Sequence, residues 1–205
     1  MKVLMINCSP HKKGSTDRAL NEIAAELNKA DIASEIYQLP LKPLQSCTAC
    51  GYCREHEINR CTIDDCVNEI LEKVETSTAL VVGSPVHFAG ITGSAKTVLD
   101  RLFYCARPLF YGKPYVGIVI ARRAGTTSAL EQLNKYPIIA DMYQVGGTYW
   151  PMVFGNNAAE IEKDEEGMEN LRTIAANLAW FLKTQAEARE LCPQPKATAK
   201  TNFIR

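Results

Sequence analysis

Three polar loops and one run of cysteines carry the residue types that could do chemistry. The first loop, Ser9-Pro10-His11-Lys12-Lys13-Gly14-Ser15-Thr16, sets hydroxyls, two lysines and free backbone N–H groups ahead of an amphipathic segment. Donors gathered where a helix begins favour an anion, so the loop suits a phosphate, and a monophosphate is the simplest occupant. Gly14 is followed by Ser rather than Lys-Ser/Thr, which argues against a nucleoside-triphosphate loop, and one glycine does not make GxGxxG, which argues against a Rossmann dinucleotide. The plainer reading is an ordinary capped turn between a strand and a helix.

Two more loops follow apolar runs in the same manner. They are Gly83-Ser84-Pro85-Val86-His87-Phe88-Ala89-Gly90 and Arg122-Arg123-Ala124-Gly125-Thr126-Thr127. If the runs before them are parallel strands, all three loops fall at one edge of one sheet, where ligands of such folds bind. His87 is read as a contact rather than a catalytic group, against the alternative of a loop histidine with no role.

Cys47-x2-Cys50-x2-Cys53-x7-Cys61 places four thiols within fifteen residues. Three readings stay open on spacing alone. Tight CxxC steps with a fourth cysteine suit a four-iron, four-sulfur cluster. Zinc on four cysteines usually has two CxxC knuckles separated by a longer spacer, and here the first three cysteines are crowded. The thiols could also be reduced and metal-free, as expected of Cys66, Cys8, Cys105 and Cys192, which fit no pattern.

The elements that must position these loops alternate regularly. Lys2 to Asn7, Ser34 to Leu39, Ala79 to Gly83 and Tyr115 to Ala121 read as strands, with a fifth expected within Met142 to Thr148. Leu20, Ile23, Ala24 and Leu27 recur at helical spacing, with Ser15 or Thr16 expected as the cap. Further helices are expected after Asp64-Asp65, over Ala95 to Leu102, over Thr126 to Ala140 with a bend or end near Pro137, and over Leu171 to Leu182. Five apolar strands alternating with helices predict an α/β, doubly wound parallel sheet covered on both faces. Residues 1–190 are expected to form one domain, with a Cys-rich loop over 40–62 and a polar tail over 191–205.

The chain has 205 residues, 46% of them hydrophobic, enough for one core. Lys and Arg balance Asp and Glu at 23 each, which gives no reason to expect nucleic acid or an acidic membrane as partner. No apolar run of about 18 residues is present to span a bilayer, and a cytoplasmic protein is expected.

Through NCSPHKKGST, GSPVHFAGITGSAKTVLDR and ARRAGTTSALEQL, occurring in order, the chain resembles the NADPH-dependent FMN reductase family of the flavodoxin-like superfamily. The resemblance covers about Met1 to Phe154. It implies FMN, with Ser9, His11, Ser15 and Thr16 on its phosphate beside Lys13 and Gly14. Pro85, Val86, His87 and Phe88 would line the ring, and Arg123, Gly125 and Thr126 would close its other edge. The family often has Arg, Asn and Tyr where this chain has His11, Ser15 and His87. The cysteine run also resembles that of the iron-sulfur flavoproteins, which implies a 4Fe-4S cluster on Cys47, Cys50, Cys53 and Cys61.

Two functions compete on this basis. One is an enzyme taking hydride from NAD(P)H to FMN and reducing a flavin, quinone, azo or nitro compound. The other is an electron carrier between cluster and FMN that docks on redox proteins, for which the balanced surface charge offers little steering. A fold retained without cofactor is a third possibility, against which the hydroxyls in the loops argue. Phe103, Tyr104, Phe110, Tyr111, Tyr149 and Trp150 suggest either packing at helix ends or a subunit interface. The resemblance favours the interface, in a homodimer or dimer of dimers.

Overall fold

The computed structural model describes residues 1–193. Strands β1 (Lys2–Asn7), β2 (Ala33–Gln38), β3 (Ala79–Pro85), β4 (Pro114–Ala121) and β5 (Tyr143–Gln144) form a parallel sheet in the order β2-β1-β3-β4-β5. This is the doubly wound parallel sheet expected from the alternation, in keeping with the flavodoxin-like fold that the resemblance implies. Helices α1 (Ser15–Lys29), α2 (Tyr52–Glu55), α3 (Cys66–Glu75), α4 (Gly93–Cys105), α5 (Thr126–Ile139), α6 (Ala158–Ile161) and α7 (Glu165–Glu187) complete the chain, α2 and α6 being single turns that the periodicity did not foretell.

Side chains alternate across each strand, so the central strands β1, β3 and β4 serve two cores. Val3, Met5, Val81, Val116, Ile118 and Ile120 pack with Leu20, Ile23 and Leu27 of α1 and Leu171, Ile174 and Leu178 of α7. Leu4, Ile6, Leu80, Val82 and Val119 pack on the opposite face with Ile70 and Leu71 of α3, Val98, Leu99 and Leu102 of α4, and Leu133 of α5. Phe103 and Phe110 belong to this second core, their rings stacked at 4.2 Å, so these two aromatics serve packing. Tyr149 and Trp150 are exposed.

The fifth strand position is divided. β5 pairs only with Pro114 and Tyr115, after which the chain leaves the sheet and returns as a further strand, β6 (Met152–Phe154), against Val119 to Ala121. The excursion is held by Asn170 of α7, which is buried. Its Oδ1 accepts from Thr148 N at 2.9 Å and Tyr149 N at 3.2 Å, and its Nδ2 donates to Tyr149 O and Trp150 O at 3.0 Å each. A Cβ on Gly147 would lie 2.2 Å from Asn170 Oδ1, so no larger residue fits there.

Local corrections have identifiable causes. Gly14, not Ser15 or Thr16, occupies the cap position of α1, and no side chain caps that end. Thr16 instead turns inward, with its methyl packed on Gly83 of β3. Asp65 caps α3 as expected, its Oδ1 accepting from Val67 N at 3.0 Å. Pro137 lies inside the last turns of α5 without ending it, and Tyr115 Oη donates at 3.3 Å to Leu133 O, the carbonyl that proline leaves without a donor. Among the described residues no helix is long and apolar enough to cross a membrane. Of the expected tail, residues 194–205 lie outside those described.

Candidate functional site

The three polar loops leave the carboxyl ends of β1, β3 and β4, beside the point where the strand order reverses. Together they wall a cleft of about 760 Å³. Ser9, His11, Lys13, Gly14, Ser15 and Thr16 line it from the first loop, Pro85, Val86 and His87 from the second.

The first loop is fixed from within. Ser9 N donates to Asn7 Oδ1 at 3.0 Å, His11 N to Ser9 Oγ at 3.1 Å, and Gln38 Nε2 of β2 to Ser9 O at 2.7 Å. The first N–H groups of α1 have no acceptor inside the helix and no side-chain cap, so they point their partial positive charge into the loop. His11, Lys12 and Lys13 are exposed around it. Such an end can take a phosphate dianion without rearrangement. Beneath it, Asn7 Nδ2 and Gln38 Oε1 are buried without protein partners.

The second loop ends in a two-residue hairpin. His87 and Gly90 exchange both backbone hydrogen bonds, at 2.9 and 3.0 Å, and the residues between them, Phe88 and Ala89, have φ of 49° and 60°. Positive φ at both central positions is a type I′ turn, a conformation that strains a residue bearing a Cβ. Phe88 is fully exposed at its tip. Gly125, φ +94°, lies so close to Ala89 that a Cβ would be 2.8 Å from its Cα, which locks the second and third loops together.

Four residues expected at the cofactor do not line this cleft. Phe88 projects from the tip, Thr126 is buried, Gly125 faces Ala89, and Arg123 is exposed, while Arg122 stands in the wall. Sequence reasoning missed Gly155, Asn156 and Asn157, which complete the cleft after β6. Their signal was a Gly-Asn-Asn turn, but the strand before it has only three residues and was not recognised.

Cys47, Cys50, Cys53 and Cys61, with Cys105, line a second cavity of about 20 Å³. No disulfide joins them. Among the described residues no three His, Cys, Asp or Glu side chains are spaced to hold a metal ion. The Cys50 thiol is held below its ordinary value, chiefly by the Tyr52 N–H and then by the Thr62 hydroxyl, whereas burial raises Cys53 and pushes Cys105 up to about 12. Arg101 of α4 borders the same cavity and is 1% exposed. Its Nη1 and Nη2 donate to the Asp65 carboxylate, at 2.6 and 2.9 Å, and to Gln45 O and Ile63 O at 3.2 and 3.0 Å, which ties the Cys loop to α4. Among the described residues its Nε–H has no partner.

Known proteins agree with this architecture. An iron-sulfur flavoprotein of Archaeoglobus fulgidus is 35% identical over 204 residues, covering 93% of this chain and all of that one. Another, of Methanocaldococcus jannaschii, is 29% identical over 195 residues, covering 89% of this chain and 98% of its own. A flavone reductase superposes with a TM-score of 0.70 at 17% identity, over 95% of this chain and 66% of the other, which supports the fold. The model of one family, NADPH-dependent FMN reductase, matches residues 1–157, the stretch that builds every wall of the cleft up to Asn157. A cleft at the switch point of this fold, and a family match spanning it, make the chain a flavin oxidoreductase that belongs to the NADPH-dependent FMN reductase family.

Proposed function

We propose that the protein draws hydride from NAD(P)H onto FMN in the cleft and reduces a small acceptor such as a flavin, quinone, azo or nitro compound. The observation that carries this reading is the uncapped start of α1 within the 760 Å³ cleft, a phosphate seat beside a space large enough for a flavin. Bound FMN supplies a ring that accepts hydride and gives up electrons. The residues supply position. Ser9, Gly14, Ser15 and Thr16 would hold the phosphate, Lys12 and Lys13 would balance its charge, and Pro85, Val86 and His87 would border the ring. His87 is exposed at the margin of the cleft, where a second planar substrate would approach the ring. Anaerobic mixing of FMN-loaded protein with NADH or NADPH tests this: bleaching of the flavin band near-stoichiometrically supports it, and no bleaching with either nucleotide overturns it.

A second reading is favoured by one observation, that Cys47, Cys50, Cys53 and Cys61 line a single cavity as unpaired thiols. The donor set fits a 4Fe-4S cluster, and the names of the archaeal relatives point the same way. With a cluster the protein would exchange electrons between redox partners as well as with NAD(P)H. Iron and sulfide analysis of anaerobically purified protein decides it. Exposed Tyr149 and Trp150 support the further proposal of a homodimer or dimer of dimers.

A further inference from the structure

The four cysteines are not alone around their cavity. Arg101 stands among them, fully buried on α4, yet its guanidinium is incompletely satisfied. Four of its N–H bonds are accounted for by Asp65, Gln45 and Ile63, while Nε–H, also buried, meets no acceptor. A buried donor without a partner is costly, on the order of 1–3 kcal/mol, and such groups in native proteins usually await a ligand, an ion or a water. Cys47, Cys50, Cys53 and Cys61 line the same cavity as the arginine, so cysteine sulfur is the acceptor chemistry which that cavity offers.

We infer that Arg101 is the electrostatic partner of the group held by Cys47, Cys50, Cys53 and Cys61, its Nε–H donating to cluster or cysteine sulfur and its charge favouring the reduced state. The inference rests on the cluster reading above. A cube with four thiolates carries net negative charge, which grows by one on reduction. Hydrogen bonds to sulfur and a nearby cation both stabilise that added charge and raise the potential. Asp65 has two tasks in this arrangement. It holds the guanidinium plane in place, and it cancels part of the charge that acts on the sulfurs.

Redox titration of the holoprotein, followed by EPR for the cluster and absorbance for the flavin, tests this with Arg101→Gln and Arg101→Lys. Arg101→Gln should make one-electron reduction of the cluster at least tenfold less favourable, about 59 mV more negative for a one-electron couple. Flavin potential should stay where it was. Arg101→Lys keeps the charge but loses the planar donor, and should fall between. Unchanged cluster potential in both variants, at full iron content, would show that Arg101 only braces Asp65. If either variant loses iron, the unaltered protein still decides: 15N-arginine labelling should give a nitrogen coupling on the reduced-cluster signal, and its absence overturns the inference. Unaltered protein with FMN but no iron or sulfide would remove the cluster reading, and this inference with it.

Discussion

Ser9 shows how one hydroxyl can shape a site from within, because its Oγ accepts the His11 N–H and so fixes the curve of the first loop. Ser9→Ala should lower FMN affinity about 5- to 10-fold, the worth of one hydrogen bond near 1–1.4 kcal/mol. Fluorescence titration with FMN and with riboflavin checks it. Riboflavin lacks the phosphate, so its affinity should hardly move, and an equal loss for both would place Ser9 elsewhere. Ala89 makes the opposite case, a residue that costs stability where it stands. At φ 60° it strains a turn that glycine would adopt freely, so Ala89→Gly should stabilise the fold by about 1 kcal/mol, relief of the left-handed penalty outweighing the added chain entropy. Thermal unfolding should shift up by about 2–4 °C. The sequence pointed to Ser9 as a phosphate contact but not to its hold on the His11 N–H, and an Ala beside a Gly looks ordinary until the backbone is known.

Helix α3 owes its place to Asp65, which caps it and grips Arg101 of α4 with both oxygens. Burial pushes the Asp65 carboxyl up, but Arg101 and the Val67 N–H outweigh it and hold the group below the usual carboxylate range. A carboxylate lowered by folding contributes stability above its unfolded value, near about 3.9, and loses it as pH falls through the folded one. Asp65→Asn leaves Arg101 buried without a counter-charge and should cost about 3–5 kcal/mol at neutral pH. Urea unfolding of the two proteins from pH 7 downward should therefore converge below about pH 4. Elements of this kind were readable in advance: Asp65 stood before a helical period, and β1, β3 and β4 were apolar runs ending in polar loops. The fifth strand position was not readable, because Gly146, Gly147 and Pro151 interrupt its pattern and the contact that organises the interruption comes from Asn170, more than twenty residues along the chain from Gly147. The same blindness hid Asn156 and Asn157, whose place in the cleft depends on β6 returning to the sheet.

At the scale of the molecule, loops from β1, β3 and β4 share one cleft, so a ligand there must couple both cores. FMN at about one hundred times its Kd should add about 2.7 kcal/mol to stability and raise the unfolding midpoint by about 5–10 °C. A calorimetric scan with and without FMN measures it, and no shift would mean the cleft does not hold flavin. The fold class followed from alternation alone, whereas the closure of the cleft depended on contacts far apart in sequence. The divided strand has one more effect, on behaviour in concentrated solution. A long open sheet edge invites a second chain to add a strand and begin a fibril. Here that edge offers two residues at β5 and three at β6, with a folded excursion between them. Neither piece is long enough to template a neighbour, so the break that defeats strand recognition also guards this edge of the sheet against edge-to-edge pairing.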